Sequence, residues 1–326
     1  MKFLILRTKN PYLNLAIEEY IFSETDDDVF MLWQNEPTVV IGKNQNAYAE
    51  INMDYVKENN INIARRITGG GAVYHDFGNV NYTFISNNRK NGIDFAYFTK
   101  PIIEALKKLD IDAKLSGRND LLVNEKKISG NAQFNKGNRV LHHGTLLFDT
   151  NLDVLTQVLK VDEEKIKSKA IKSVRSRVVN LKALINEEMD SDDFINLISS
   201  YIVSKYNPTV IEAPKCEKID ALAARNSSDK WLFPKNNFIS DYTLVNKKRY
   251  AFGILEMHIN MSDKKILDIK ISGDFFGGKD ISKLESILKN TPLSELQNKI
   301  INIDIEDYIY GITKEDFINH IIDSQY

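Results

Sequence analysis

The stretch "RRITGGGAVYHDFGNVNYTF", Arg65 to Phe84, sets three successive glycines between a pair of arginines and a β-prone run ending in aromatics. A loop with no side chain at three positions lets backbone N–H groups approach a ligand closely and takes positive φ without strain, which suits an anionic group. The residues after the triplet exclude two familiar phosphate-binding patterns. A P-loop needs a second glycine followed by Lys and Ser or Thr, and after Gly71 the chain runs Ala72, Val73, Tyr74, His75. A dinucleotide fingerprint starting at Gly69 needs its third glycine where Tyr74 stands. The flanks "INIARR", "AVYH" and "VNYTFIS" are rich in β-branched and aromatic residues, so the triplet joins strands and does not open a helix.

Toward the N-terminus, Phe3 to Leu6 is an apolar run too short for a signal-peptide core and reads as a first strand. Asn10 before Pro11 starts a helix on which Leu13, Ile17, Tyr20 and Ile21 recur at helical spacing. "VFMLWQ" and "TVVIGKNQN" are strands, and "NMDYVKENN" is a short helix. Beyond the triplet, "FTKPIIEALKKLD" is helical. Residues 117–149 then alternate short β-prone runs with the turn signals "GRND", "NEKK" and "NKGN", an antiparallel meander. The helical "DVLTQVLK" leads into a basic tract, "KIKSKAIKSVRSRVVNLK", Lys165 to Lys182, either a solvated loop or one that covers an anionic ligand. "SDDFINLISSYIVSKY" is a helix with Ser191 as its expected N-cap. Near Leu244 to Lys248 the pattern changes: "RYAFGILEMHIN" and "KILDIKISGDF" are two β-runs about a polar turn, followed by helices at "DISKLESILKN" and "PLSELQNKI". The chain is therefore expected to divide near Val245, into residues 1–245 and a smaller α+β unit over 246–326.

Length and composition agree with two domains. The 326 residues suffice for substantial cores, and 43 basic against 45 acidic side chains leave a net charge of −2, with no field suited to nucleic acid. The single cysteine, Cys216, excludes an internal disulfide framework and a Cys-based zinc cluster, which points to a cytoplasmic protein. No apolar run approaches the ~20 residues of a membrane span, so no membrane partner is expected.

Covalent acyl transfer requires an activated nucleophile, and "GxSxG" is absent while Cys216 lies in the polar stretch "APKCEKID". "HExxH" is also missing. His142 and His143 are adjacent on a strand and point to opposite faces, so they do not share a metal; one of them turns inward, and His143, before Gly144 and Thr145, is a candidate pocket residue. Lys126 and Lys127 at a hairpin turn would ordinarily face solvent. Lys127, however, begins the β-run "KISGNAQ", whose neighbours are small and polar. A glycine loop, a strand-borne lysine and a basic tract together could activate a carboxylate as its adenylate with no enzyme nucleophile, the lysine stabilising charge at the α-phosphate and glycine N–H groups holding phosphate or acyl oxygens.

These residues resemble the lipoate-protein ligases of the long, two-domain type over nearly the whole chain. "RRITGGGAVYHDFGN" is similar to the family's lipoate-binding motif, "GRND" and "KISGNAQ" with "HHGTLL" to its second and third motifs, "SVRSRVVNL" to its adenylate-binding loop, and "IKISGDFF" to its accessory C-terminal domain. The resemblance implies an α+β fold, with a mixed-sheet catalytic domain related to biotin ligases and a smaller α+β accessory domain. It implies that the glycine loop, Gly69, Gly70 and Gly71, lines a tunnel for the lipoyl chain and its acyl-phosphate end, with Arg66 and Thr68 before it and Ala72 and Val73 after it. Lys127 matches the essential lysine that contacts the carboxyl and the α-phosphate. His75, Asn79, Asn119, Asp120, Ser129, His143 and Gly144 match nearby pocket positions, and Ser173, Val174, Arg175 and Arg177 the adenylate loop. Ile67 departs from the motif, where a small polar residue is frequent. The implied reaction converts lipoate and ATP, with Mg2+, to lipoyl-AMP and pyrophosphate. A lysine of an acceptor lipoyl domain, of a 2-oxoacid dehydrogenase or the glycine-cleavage H protein, then takes the lipoyl group. The metal's protein ligands are not specified by the motifs, nor is the choice between octanoate and lipoate. Three other readings are an octanoyl or lipoyl transferase of the same fold, which needs a catalytic cysteine; a biotin ligase, whose "GRGR" type loop is not found; and a non-catalytic protein that binds lipoate or an acceptor domain.

Overall fold

A computed structural model describes residues 1–87, 93–160, 177–234 and 242–323. Its main element is an eight-stranded mixed sheet in the order β11-β1-β2-β6-β10-β9-β8-β7. The strands are β1 (Lys2–Ile5), β2 (Val29–Trp33), β6 (Asn79–Ser86), β7 (Lys114–Ser116), β8 (Asp120–Val123), β9 (Lys126–Lys136), β10 (Arg139–Leu147) and β11 (Thr209–Val210). β1 runs parallel to β2 and β11, and the remaining neighbours are antiparallel. A second sheet of three strands is formed by β3 (Thr38–Ile41) between β4 (Asn62–Arg65) and β5 (Val73–His75). The glycine triplet connects β4 to β5, a strand-to-strand loop as expected.

Alternation divides the large sheet's two faces. Phe30, Leu32, Val80, Tyr82 and Phe84 pack with the helices Phe95–Leu106 and Ser191–Tyr206 on one face. On the other, Met31 and Trp33 meet the helix Pro11–Glu24, whose Leu15, Ile17 and Ile21 are buried. That helix starts as its sequence demands, with the Asn10 side chain accepting from the N–H groups of Tyr12 and Leu13. The helix Ser191–Tyr206 differs from expectation: its N-cap is Asp190, one residue earlier, because Asp190 and Asp193 form a reciprocal capping box that Ser191 does not complete.

From Leu244 a four-stranded sheet is built from β12 (Leu244–Tyr250), β13 (Gly253–Ser262), β14 (Lys265–Gly273) and β15 (Thr291–Pro292). "RYAFGILEMHIN", expected as one β-run, is broken by a hairpin turn at Ala251 and Phe252, and Gly253 takes φ 135° just after it. The helices Ile281–Leu288 and Leu293–Ile301 cover this sheet, joined by Lys314–Ile322. No described helix is long and apolar enough to cross a membrane.

Candidate active site

The two arginines before the triplet are buried and hold backbone. The guanidinium of Arg65 donates to the carbonyls of Gly42 at 2.9 Å, Gln45 at 2.8 Å and Leu232 at 2.6 Å, pinning the polar loop after β3. Arg66 donates to Val40 O at 3.1 Å, Gly69 O at 2.7 Å and Gly71 O at 2.8 Å, so its charge fixes the shape of the glycine loop itself. The three glycines then differ in purpose. A Cβ on Gly69 would collide with the carbonyl of Phe275. Gly70 takes φ 89° with the Phe276 ring against it, and Gly71 faces open space. Of the three, Gly71 alone lines the cleft. Two glycines of the motif thus seat the C-terminal unit.

That cleft measures about 840 Å³ including its open mouth, within the range of small-molecule sites. Its apolar wall carries Leu15, Trp33, Val40, Ala72 and Val73. Its charged end carries Lys127, Asp120, Arg118 and Asp274. A β-bulge explains how Lys127 reaches it. Asp120 pairs with Gly130 and Leu121 with Ser129, but Leu122 pairs with Lys127, leaving Ile128 as the extra residue. Ile128 drops into the core while Lys127 turns to the face of Asp120 and Gly130. The Lys127 Nζ lies 2.8 Å from Asp120 Oδ1 and would be 2.9 Å from a Cβ on Gly130. Lys126 is exposed.

His142 and His143 do point to opposite faces, and both are buried, where one inward residue was expected. His142 stacks on Phe98 with ring centroids 5.0 Å apart, and burial drives its pKa well down. His143 lines the cleft, and its ring is fully engaged: Nδ1 sits 3.0 Å from Glu18 Oε1 and Nε2 sits 2.9 Å from Thr68 Oγ1. Arg66 Nε donates to the same hydroxyl at 2.9 Å, so Thr68 links the Arg66 guanidinium to the His143 ring. Glu18 also accepts from Thr83, which accepts from the Trp33 indole. Behind the sheet, Gly144 leaves room for the Tyr82 hydroxyl to meet Asn131 Oδ1.

The sequence matches the Lipoyl protein ligase A/B catalytic domain over residues 10–203 and the Bacterial lipoate protein ligase C-terminus over 240–321. The chain belongs to the lipoate-protein ligase family. Lipoate-protein ligase LplJ of Bacillus subtilis is 39% identical over 325 residues, covering 96% of this chain and 97% of its own. The crystal structure of P. falciparum LipL1 in complex with lipoate superposes with a TM-score of 0.80 at 25% identity, over 99% of this chain and 98% of its own. A lipoate-protein ligase A bound with ATP gives 0.61 at 29% identity, over 71% of this chain and 98% of its own. The bipartite archaeal lipoate protein ligase from Thermoplasma acidophilum, studied with its E2 lipoyl domain, gives 0.63 at 31% identity, over 71% and 95%.

Several of the residues expected from the lipoate-protein ligase motifs converge on the cleft: Arg66, Gly71, Ala72, Val73, His75, Asn119, Asp120, Lys127, His143 and Gly144. Thr68, Asn79 and Ser129 are fully buried away from its wall; Thr68 positions His143, Asn79 bonds Asn81, and Ser129 accepts from Asn131. Ser173, Val174 and Arg175 lie outside the described residues, and Arg177 is exposed. Immediately after it, Val178 bridges to Lys127 and the Val179 N–H donates to the Lys127 carbonyl at 3.0 Å, tying the end of the basic tract to the lysine. Leu15, Trp33, Val40, Asn81, Gly130, Asn131, Ala132, Thr145, Arg118 and Asp274 also line the cleft, none of them an expected site residue. The apolar ones carry no sequence signal distinguishing a cleft wall from a core. Arg118 and Asp274 stand inside quoted motifs, "GRND" and "SGDFF", and their 3.5 Å ion pair joins the two units at the cleft.

Proposed function

We propose that the chain is an ATP-dependent ligase that activates lipoate as lipoyl-AMP and passes the lipoyl group to a lysine of an acceptor lipoyl domain. One observation carries the reading: a bulge delivers Lys127, beside Asp120, to the charged end of a cleft whose other wall is apolar. A carboxylate oxygen of lipoate attacks the α-phosphorus in line, and the bond to pyrophosphate breaks. The Lys127 ammonium offsets the charge that builds on the α-phosphate oxygens, in a site where solvent screening is reduced. In the second step the acceptor's neutral amine attacks the acyl carbon, AMP leaves and the amine proton is lost. The tie between Lys127 and Val179 supports the role of the neighbouring tract as a loop over the adenylate.

Magnesium would supply charge neutralisation on the triphosphate, held largely by phosphate oxygens and water. Among the described residues no three His, Cys, Asp or Glu side chains cluster as a metal site; Asp120 and Asp274 are the carboxylates lining the cleft. The acceptors are lipoyl domains of 2-oxoacid dehydrogenases or the glycine-cleavage H protein, in the cytoplasm. The transferase alternative needs a thiol, and Cys216 stands before the helix Glu217–Asn226 and forms no part of the cleft wall. Pyrophosphate release with lipoate and ATP, measured without and then with an acceptor domain, tests the proposal. Release without acceptor is expected, and Cys216→Ser should retain near-native ligation. No release, together with a trapped thioester on Cys216, would establish transfer instead.

A further inference from the structure

His75 ends β5 at 3% exposure, lines the cleft, and holds a proton whose position can be deduced. The side-chain amide of Asn14 donates to the backbone carbonyl of Gln34 at 2.8 Å, which identifies that atom as its nitrogen. The same nitrogen donates to Asn35 at 2.9 Å, so the Asn35 atom is oxygen and the other amide atom of Asn35 is nitrogen. That nitrogen faces His75 Nδ1 at 3.1 Å. Nδ1 therefore accepts, and the proton sits on Nε2. Burial, then Arg66 and His143, hold the ring's pKa down to about 3, so the neutral tautomer persists through the neutral range. Nε2 is buried and has no hydrogen-bond partner.

Apolar side chains share the wall with His75, alongside the polar Arg66, Asn81 and His143. Trp33 packs edge-on to the ring with centroids 6.1 Å apart, and Leu15, Val40 and Val73 share the wall. β2, which carries Trp33, is three places from β9, which carries Lys127, roughly 14 Å at ordinary strand spacing. His75, packed on Trp33, thus lies toward the end of the cleft remote from the cation. A buried donor covered by hydrocarbon forfeits its hydration without return, whereas a lone pair brought to it restores a bond. Resting on the reading of lipoate as substrate, a chain whose carboxylate meets Lys127 presents its dithiolane ring to His75, and the ring sulfurs are its only acceptors there.

We infer that His75 Nε2–H donates to a dithiolane sulfur and makes this site prefer a lipoyl chain over a saturated one. The test is calorimetric binding of lipoate and of cyclopentylpentanoate, its all-carbon isostere, to the full chain, before and after His75→Phe and His75→Gln. The unaltered protein should bind lipoate about fivefold more tightly, the fold-change of one net hydrogen bond. His75→Phe should bring the two within about twofold, by weakening lipoate while holding or improving the carbocycle. His75→Gln, which keeps a donor, should retain part of the preference. Equal binding of both acids by the unaltered protein would overturn the inference while leaving the ligase reading intact, and this comparison needs no variant to fold. Equal weakening of both acids by a folded His75→Phe would also overturn it. Failure of the unaltered protein to bind either acid would overturn the substrate reading as well.

Discussion

At the scale of the residue, identical side chains take different tasks because their surroundings differ. Arg65 and Arg66 are adjacent, yet one pins the loop after β3 and the other shapes the glycine turn. Lys126 and Lys127 are adjacent, yet only the second faces Asp120 and the cleft. Lys127→Met is expected to slow lipoate-dependent pyrophosphate release by about two to three orders of magnitude, the range for loss of one electrostatic donor to a transition state. Lys126→Met, on the opposite face of the strand, should change little. Thermal melts of both variants separate chemistry from folding. A folded Lys127→Met with near-native release, or a greater loss in Lys126→Met, would assign the role to the wrong lysine.

At the scale of the element, the bulge between β8 and β9 decides the site. An unbroken ladder would put Ile128 toward the cleft and Lys127 toward the core, because one residue of slip exchanges the faces of a strand. Gly130 completes the arrangement by leaving the space through which the lysine reaches Asp120. In Gly130→Ala the new methyl would stand 2.9 Å from Lys127 Nζ and 3.1 Å from its Cε, so the flexible end of the lysine must give way. Adenylation should slow by about tenfold or more, while the melting temperature shifts by only a few degrees, as for a substitution outside the core. Equal rates in parent and variant would show that the lysine's position against Asp120 is immaterial.

At the scale of the whole molecule, the two units have separate cores and a shared seam. One cluster runs from Leu255 to Ile321 within the C-terminal unit, whereas Phe276 joins Phe95 and Ala132 across the seam. Gly273 N–H donates to the carbonyl of Asn44 at 3.1 Å, and Arg118 meets Asp274 beside the cleft. A fragment ending near Val245 keeps its own cores and Lys127 but loses this seam. It should form lipoyl-AMP weakly and still transfer from supplied lipoyl-AMP; equal loss of both steps would indicate a folding role for the removed unit. The seam also carries a pH dependence. Burial raises the Glu50 carboxyl to about 7, with Asp274 and Glu256 adding to the rise and Lys247 and Gln45 opposing it. A carboxyl raised on folding favours the native state fully below its unfolded pKa of ~4.3, and that contribution is lost as pH climbs through the folded value. In unfolding titrations, Glu50→Gln should therefore match the parent's stability near pH 4 and exceed it by pH 8, by about 1–3 kcal/mol. A gap independent of pH would remove Glu50 as the cause.

The sequence by itself determined the family, the strand-to-strand setting of the glycine triplet and the meander beyond it. These rest on local signals: turn residues, alternation, and motifs kept in order along the chain. Only the tertiary structure decided which of the expected residues line the cleft, which stand behind its wall, and which further side chains join them. The register slip at Ile128, the carbonyls gathered by two arginines, the seating of Phe275 and Phe276 on Gly69 and Gly70, and the tautomer of His75 all depend on partners distant in sequence. Burial and hydrogen bonding are properties of such meetings, and a residue's type records only what it is able to do when they occur.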